Sequence, residues 1–252
     1  MKTYFILLVL ILLIGVPGFG QYAPGSPTYS EDYTKVLSKQ KIKTVYWIAE
    51  GDTTKTSHYN ENGQLNKTIF PPADEWSESE WLQYAYNEDG TLHKITYYMD
   101  EFDVVEQLFE YDNGILVSSS VLSAEARKYD YKYEDNLLKE IIGNAFFFEE
   151  SETGEDSIVM EQIELETYNY DPKNRLYEYK FYMYDELYSM MIYEYDNKDR
   201  IIMEASYWGE DNEATVSTVN FTYDKKGLLM QHKSINTDEE ELITNYAYEK
   251  WK

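Results

Sequence analysis

Three histidines and 47 acidic residues are the groups in this 252-residue chain that could do acid–base or metal chemistry. A zinc or general-base centre needs side chains that converge. His58, His93 and His232 fall at offsets of −1, +7 and +9 from the nearest members of a recurring tyrosine series, so the repeat does not superpose them on one site. Cysteine is absent, which excludes disulfides and thiolate metal sites. No Gly-rich phosphate loop, nucleophile elbow or zinc-protease helix motif occurs. Two carboxylates at a suitable separation can hydrolyse a glycoside, but so many acids supply such pairs by chance. The expectation is a non-enzymatic protein with no catalytic residue and no metal site. Weak calcium binding is the single cofactor reading left, at the oxygen-rich stretches Asn87, Glu88, Asp89 and Glu210, Asp211, Asn212, Glu213. Neither has calcium-loop spacing, and Asn or Asp in a turn more often satisfies local backbone.

Binding chemistry is better represented. Trp76 and Trp81 follow Pro71 and Pro72 in a long loop, and Trp208 lies beside another. Such aromatics suit stacking on a sugar or packing on a protein. The opposing reading is cross-strand packing, which accounts for most aromatic residues of a sheet. Residues 149–166 hold eight acids and no base. Glu149, Glu150, Glu152, Glu155 and Asp156 open that stretch around Thr153 and Gly154 and are read as a protruding acidic loop. The formal charge of −25 makes nucleic acid a poor partner, because binding there requires cations at the phosphates. It favours a basic protein or simple solvation. A protein or glycan at the cell envelope is the expected partner.

The ends bound the domain. Residues 1–20 read as a secretory signal peptide: Lys2, an apolar run over 4–16, then Gly18, Phe19 and Gly20 before cleavage ahead of Gln21. The run is shorter than the roughly 20 residues a membrane-spanning helix needs. Removing these 20 residues leaves 232 and a formal charge of −26, and an exported protein of the periplasm, cell surface or medium is expected. Residues 21–40 read as a flexible entry segment with a short helix at most over 29–40, and 41–252 as one β-repeat domain with its acidic insertion near 149–160. No transmembrane segment is expected in the mature chain.

A repeat organises that domain. Tyr59, Tyr86, Tyr111, Tyr133, Tyr170, Tyr195, Tyr223 and Tyr248 recur about every 25 residues, each but the first preceded two residues earlier by an aromatic. The residues between are Ala85, Glu110, Lys132, Asn169, Glu194, Thr222 and Ala247, so one face alternates apolar and the other polar. In five copies a Leu or Ile follows the tyrosine by six, with Gly63, Gly90, Asn174, Asp199 or Gly227 at the fourth position. These residue types tolerate a left-handed backbone and predict three-residue hairpin loops. In two copies the spacing is five, and Asn113-Gly114 and Asp135-Asn136 predict two-residue type I′ turns that keep the register.

The pattern Tyr168, Tyr170, Asp171, Arg175, Leu176 and its copy Tyr193, Tyr195, Asp196, Arg200, Ile201 resemble the YD-repeat, or RHS-repeat, family of exported proteins. The resemblance covers residues 55–252, with Asn174 and Asp199 departing from the family's Gly. It implies antiparallel hairpins in one long curved sheet, used on cell surfaces for binding, sugar contact or enclosing a partner. Eight copies are few for an enclosing shell, and no effector domain follows them, so the toxin role is not carried over. From the residues alone, consecutive hairpins could make an open sheet, a barrel or propeller blades. A barrel of about sixteen strands would leave a wide lumen. The expected architecture is therefore an all-β, antiparallel hairpin meander forming one long, open, twisted sheet.

Overall fold

The computed structural model describes residues 31–72, 79–98, 104–122, 126–149, 157–208, 215–237 and 240–251. One helix, α1 (Glu31–Lys39), precedes sixteen strands. In chain order they are β1 (Ile42–Ala49), β2 (Asp52–Tyr59), β3 (Leu65–Phe70), β4 (Glu80–Tyr86), β5 (Leu92–Tyr98), β6 (Val104–Asp112), β7 (Ile115–Leu122) and β8 (Arg127–Glu134). There follow β9 (Leu137–Glu149), β10 (Ser157–Tyr170), β11 (Leu176–Met183), β12 (Glu186–Tyr195), β13 (Ile201–Trp208), β14 (Thr215–Tyr223), β15 (Leu229–Asn236) and β16 (Glu241–Lys250). Each strand pairs antiparallel with its sequence neighbour, as the hairpin repeat requires.

The sheet is not open. β1 pairs with β16 from Ala49↔Thr244 to Ile42↔Lys250, closing a sixteen-stranded barrel. Two physical reasons overturn the expected open sheet. β1, which precedes the first copy, takes the place of a second strand beside the eighth copy, at Tyr248; the Trp251 amide donates to the Lys41 carbonyl at 2.8 Å where a covalent turn would stand. Closure thereby pairs two edges that would otherwise expose their backbone groups. The lumen is also filled. The repeated aromatics point inward, and Tyr84, Tyr97, Tyr129, Tyr131, Tyr168 and Tyr193 belong to one buried cluster with Val45, Ile141 and Leu229.

The turns have the backbone their residues dictate. Gly63, Gly90, Asn174, Asp199 and Gly227 have φ between 59° and 88°. Asn113, Gly114, Asp135 and Asn136 are all left-handed, as type I′ turns require. A bulge falls just before the anchor tyrosine in each hairpin, for instance between Asn169 and Tyr170. In the fullest copies the Asp of the motif caps its turn. Asp171 Oδ1 accepts from the Lys173 and Arg175 amides at 2.8 and 3.0 Å, while Oδ2 holds the Arg175 guanidinium at 2.6 and 2.7 Å. The Arg175 hydrogen bond keeps the Asp171 carboxyl below its ordinary range.

What joins one hairpin to the next is the anchor hydroxyl. Tyr86 donates to the Leu65 carbonyl at 2.6 Å, Tyr170 to Leu138 at 2.8 Å, Tyr195 to Leu176 at 2.6 Å and Tyr223 to Ile201 at 2.8 Å. Tyr248 does the same to Leu229. In every case the acceptor is the Leu or Ile of the preceding copy. Arg175 then covers the ring of Tyr195 at 4.7 Å, and Arg200 that of Tyr223 at 4.6 Å. The motif is thus a set of inter-repeat contacts written into each copy.

Helix α1 braces the seam. A side chain on Gly63 would meet the Thr34 carbonyl at 2.5 Å, and one on Gly227 would touch Val36. The helix therefore contacts the β2–β3 and β14–β15 turns, which flank β1 and β16, and Leu37 is fully buried within the stretch read as an entry segment.

Tyr195→Phe and Tyr223→Phe should each lower unfolding free energy by about 1 kcal/mol, the net worth of one hydrogen bond. Tyr46→Phe, which removes only a 3.4 Å exposed bond to Glu249, should cost under ~0.5 kcal/mol. Urea titration followed by tyrosine fluorescence checks the difference.

Candidate functional site

The topology separates two ends. The tyrosine-anchored turns all lie at one. The opposite end gathers the links from β1 to β2, β3 to β4, β5 to β6, β7 to β8, β9 to β10, β11 to β12, β13 to β14 and β15 to β16. The sequences of these links contain acids in every case and no Lys, Arg or His. The anchored turns are mixed in charge, with Lys173, Arg175, Lys198, Arg200, Lys225 and Lys226 among them. The barrel is electrostatically polar along its axis, with one acid-only end.

Of the residues expected to bind, Trp81, Glu149 and Trp208 stand on strand ends at that side, though not at one place. Trp81, near the start of β4, stacks on Tyr98 with ring centroids 4.8 Å apart and planes at 18°. The Lys67 ammonium stands 5.0 Å from its centroid. This is the cross-strand packing weighed against binding in the sequence. Glu149 ends β9 opposite Ser157, and Trp208 ends β13 opposite Ser189. Trp76, Glu150, Glu152, Glu155 and Asp156 lie outside the described residues. β4 and β9 are five strands apart, and β9 and β13 four. At about 4.8 Å per strand, Trp81, Glu149 and Trp208 sit roughly 20 Å or more from one another around the rim and do not form a single site.

The histidines do not converge either. His58 Nδ1 is 3.3 Å from Thr44 Oγ1, His93 is exposed on β5, and His232 Nδ1 meets the Tyr246 hydroxyl at 2.6 Å. Among the described residues no group of three His, Asp or Glu side chains is placed to hold a metal ion. At the Asn87 turn the side chains serve the turn itself. Asp89 accepts from the Thr91 amide at 2.9 Å and hydroxyl at 2.6 Å, and Asn87 donates to that hydroxyl at 2.9 Å.

The lumen holds ionisable groups that the sequence reading did not single out. Arg127 pairs with Glu164, and Tyr168 donates to Glu166 Oε2 at 2.5 Å. Ser119 links the Tyr131 hydroxyl at 3.1 Å to the Gln107 amide at 3.2 Å. Burial pushes the Glu166 carboxyl up to about 7, against the pull of the Tyr168 bond, and the neighbouring Glu164 adds to the rise. A signal for these acids was available. Counting back by twos from Tyr170 through Tyr168 puts Glu166 and Glu164 on the aromatic face.

Elongated strands, the sequence reading for either side of the acidic stretch at 149–156, are found at this end. β9 and β10 run 13 and 14 residues, against six to ten for the rest. β8 leaves β9 at Arg127↔Ala145, and β11 leaves β10 at Met183↔Glu164. Beyond those points, and past a last bond from the Tyr184 amide to the Ile163 carbonyl at 2.9 Å, the two strands pair only with each other among the described residues, through Met160↔Phe146, Val159↔Phe147 and Ile158↔Phe148. The extension exposes Phe147 (41%), Met160 (55%) and Ile158 (65%) to solvent.

The outward face at mid-barrel carries three ion pairs. Lys94 pairs with Glu106, Lys132 with Glu140 and Lys180 with Glu178, all across or along outward positions.

No protein-family model and no curated protein sequence matches the chain. Solved structures do. A porin-like protein from Bacteroides uniformis superposes with a TM-score of 0.52 at 14% identity, over 82% of this chain and 98% of that one. A porin-like protein from Bacteroides vulgatus gives 0.47 at 13%, over 83% and 99%. The TcdB2-TccC3-Cdc42 structure matches 81% of this chain with 16% of its own, at 14% identity and a TM-score of 0.21. The first likeness shows the fold alone, and the other two are too distant to carry an argument.

Glu166 is neutral in the folded state below about pH 7 and ionised above it, whereas an unfolded Glu ionises near ~4.3. The folded state therefore holds its proton more tightly, and stability falls as pH rises from about 4 to 7. Glu166→Gln should stabilise the barrel by roughly 3 to 4 kcal/mol at pH 8, with the gain vanishing below about pH 4.5. Thermal unfolding across that range checks it.

Proposed function

We propose that this chain is an exported, non-enzymatic repeat barrel whose outer wall faces water and whose acid-only rim binds a partner at the cell envelope or surface. The observation that carries the proposal is the distribution of side chains across the sheet. A barrel that spans lipid turns an apolar band outward and encloses polar groups. Here the ion pairs of Lys94, Lys132 and Lys180 face out, and the tyrosine cluster fills the inside. Strands of six to ten residues, apart from β9 and β10, leave little room for a lipid-facing band besides. Among the described residues no helix is long and apolar enough to cross a membrane, a statement that says nothing of β-barrels; the strand faces make the argument. The motif Tyr-x-Tyr-Asp, turn, Arg-Leu supports reading the chain as a short member of the YD-repeat family, and the contacts of Tyr195, Asp171 and Arg175 lend that reading a physical role for each motif residue. The reading assigns no cofactor and no catalytic residue.

A second reading, favoured by the acid-only end, is an inhibitor or immunity-type protein that neutralises a basic partner. It differs in consequence rather than in site, since the same rim would do the binding.

The mature protein should remain monodisperse in buffer without detergent, partition into the aqueous phase of a detergent phase separation, and add no conductance to a planar bilayer. Channel activity, or extraction from membranes that requires detergent, would overturn the water-facing reading. Hydrolysis of a polysaccharide or peptide by the pure protein would overturn the non-enzymatic one.

A further inference from the structure

We infer that the extension of β9 and β10 is the docking element of the barrel and that its partner is a cationic protein. This rests on the reading of the acid-only rim as the binding end, and it specifies where and with what. Residues 146–149 and 157–162 form a two-stranded ribbon with no third strand on either side among the described residues; at Ile163 the Tyr184 amide already reaches the β10 carbonyl at 2.9 Å. A two-stranded ribbon is marginal in water on its own, and polar residues normally line such an exposed edge. This one instead exposes Phe146, Phe147, Ile158, Val159 and Met160. Phe146 and Met160 face one side and Phe147 and Val159 the other, by alternation across their paired positions. The ribbon is apolar on both sides, while the barrel surface beneath it carries Lys–Glu pairs. Solvated hydrophobic groups concentrated on one projecting element mark an interaction site.

Charge selects among occupants. The links at this end contain acids and no bases, and the whole chain carries −25. Two copies docking ribbon to ribbon would bring two acid-only rims together. An anionic lipid surface would meet the same repulsion. A protein that presents lysines and arginines around an apolar groove satisfies both the ribbon and the rim. Electrostatic attraction would speed encounter, and burial of the ribbon would set the residence time. The unpaired backbone along either edge adds the option of strand addition.

The experiment places the photo-crosslinking residue p-benzoylphenylalanine at Phe147, or at Lys226 on the opposite end, in the full chain made in its own host, with irradiation in the cells. The proposal expects an adduct from position 147 to a protein rich in Lys and Arg. Purified with that protein, the chain should bind about tenfold or more weakly when salt rises from 0.05 to 0.5 M, and about tenfold more weakly with Phe146→Ser and Met160→Ser together. Both residues are exposed, and an unchanged urea midpoint confirms that the barrel is intact. A lipid adduct, an adduct to a second copy, an adduct to an acidic protein, or affinity indifferent to the double substitution would each overturn the proposal. Adducts from position 226 alone would overturn it, and with it the assignment of binding to the acid-only rim, while leaving the non-enzymatic barrel reading standing. No adduct from either position would count against both.

Discussion

Each repeat depends on a hydroxyl that reaches backward. The anchor tyrosine of one copy donates to the backbone carbonyl of the Leu or Ile that opens the second strand of the copy before it, five times among the described residues. The bond fixes one hairpin's register against the next at the ring of turns, where strand pairing alone is interrupted by bulges. It also explains the rest of the motif. The Asp must cap the turn so that the Leu carbonyl is correctly placed, and the Arg, held by that Asp, shields the next tyrosine ring. Burial raises the Tyr195 hydroxyl to about 12, so the donor keeps its proton across the physiological range.

Repeated at similar angles, such a contact curves the sheet until its ends meet. The chain then solves two problems with one arrangement. β1 completes the eighth hairpin from the far end of the sequence, and the aromatic face of every copy turns inward to fill the lumen. Helix α1 packs on the flanking turns, with Leu37 in the core cluster. The likeness to a porin-like protein, at 14% identity, concerns this fold alone.

Much of this was legible in the sequence. Gly63, Gly90, Asn174, Asp199 and Gly227 announced left-handed turns, and the loss of one residue before Leu116 and Leu138 announced the change to type I′. Alternation around Tyr168 and Tyr170 announced a single aromatic face. Closure was not legible, because it depends on a pairing between Ile42–Ala49 and Glu241–Lys250 that no local pattern signals, and because side-chain volume in a lumen is a property of all sixteen strands together. Trp81 shows the limit for sites. Its position beside a loop suited a ligand, and its neighbour Tyr98 supplies the stacking instead. Glu166 shows the reverse, an acid indistinguishable by type from the other acids until its face is counted. The elongated strands on either side of the acidic stretch were legible, but their exposure was not, because Phe146 and Phe147 read as ordinary strand residues and only the end of β8 at Arg127 leaves them without a neighbour among the described residues.

The central claim is that the two ends of the chain meet in one closed sheet. The chain has no cysteine of its own, so Tyr46→Cys with Ala247→Cys introduces the only two thiols, on directly opposed residues of β1 and β16. A disulfide needs Cα atoms within about 7 Å. The account predicts rapid formation of an intramolecular disulfide in the folded monomer under mild oxidation, read as loss of both thiols and faster migration on a non-reducing gel. Thiols that stay free, or link only between molecules, would place β1 and β16 at separate edges and contradict the closed barrel.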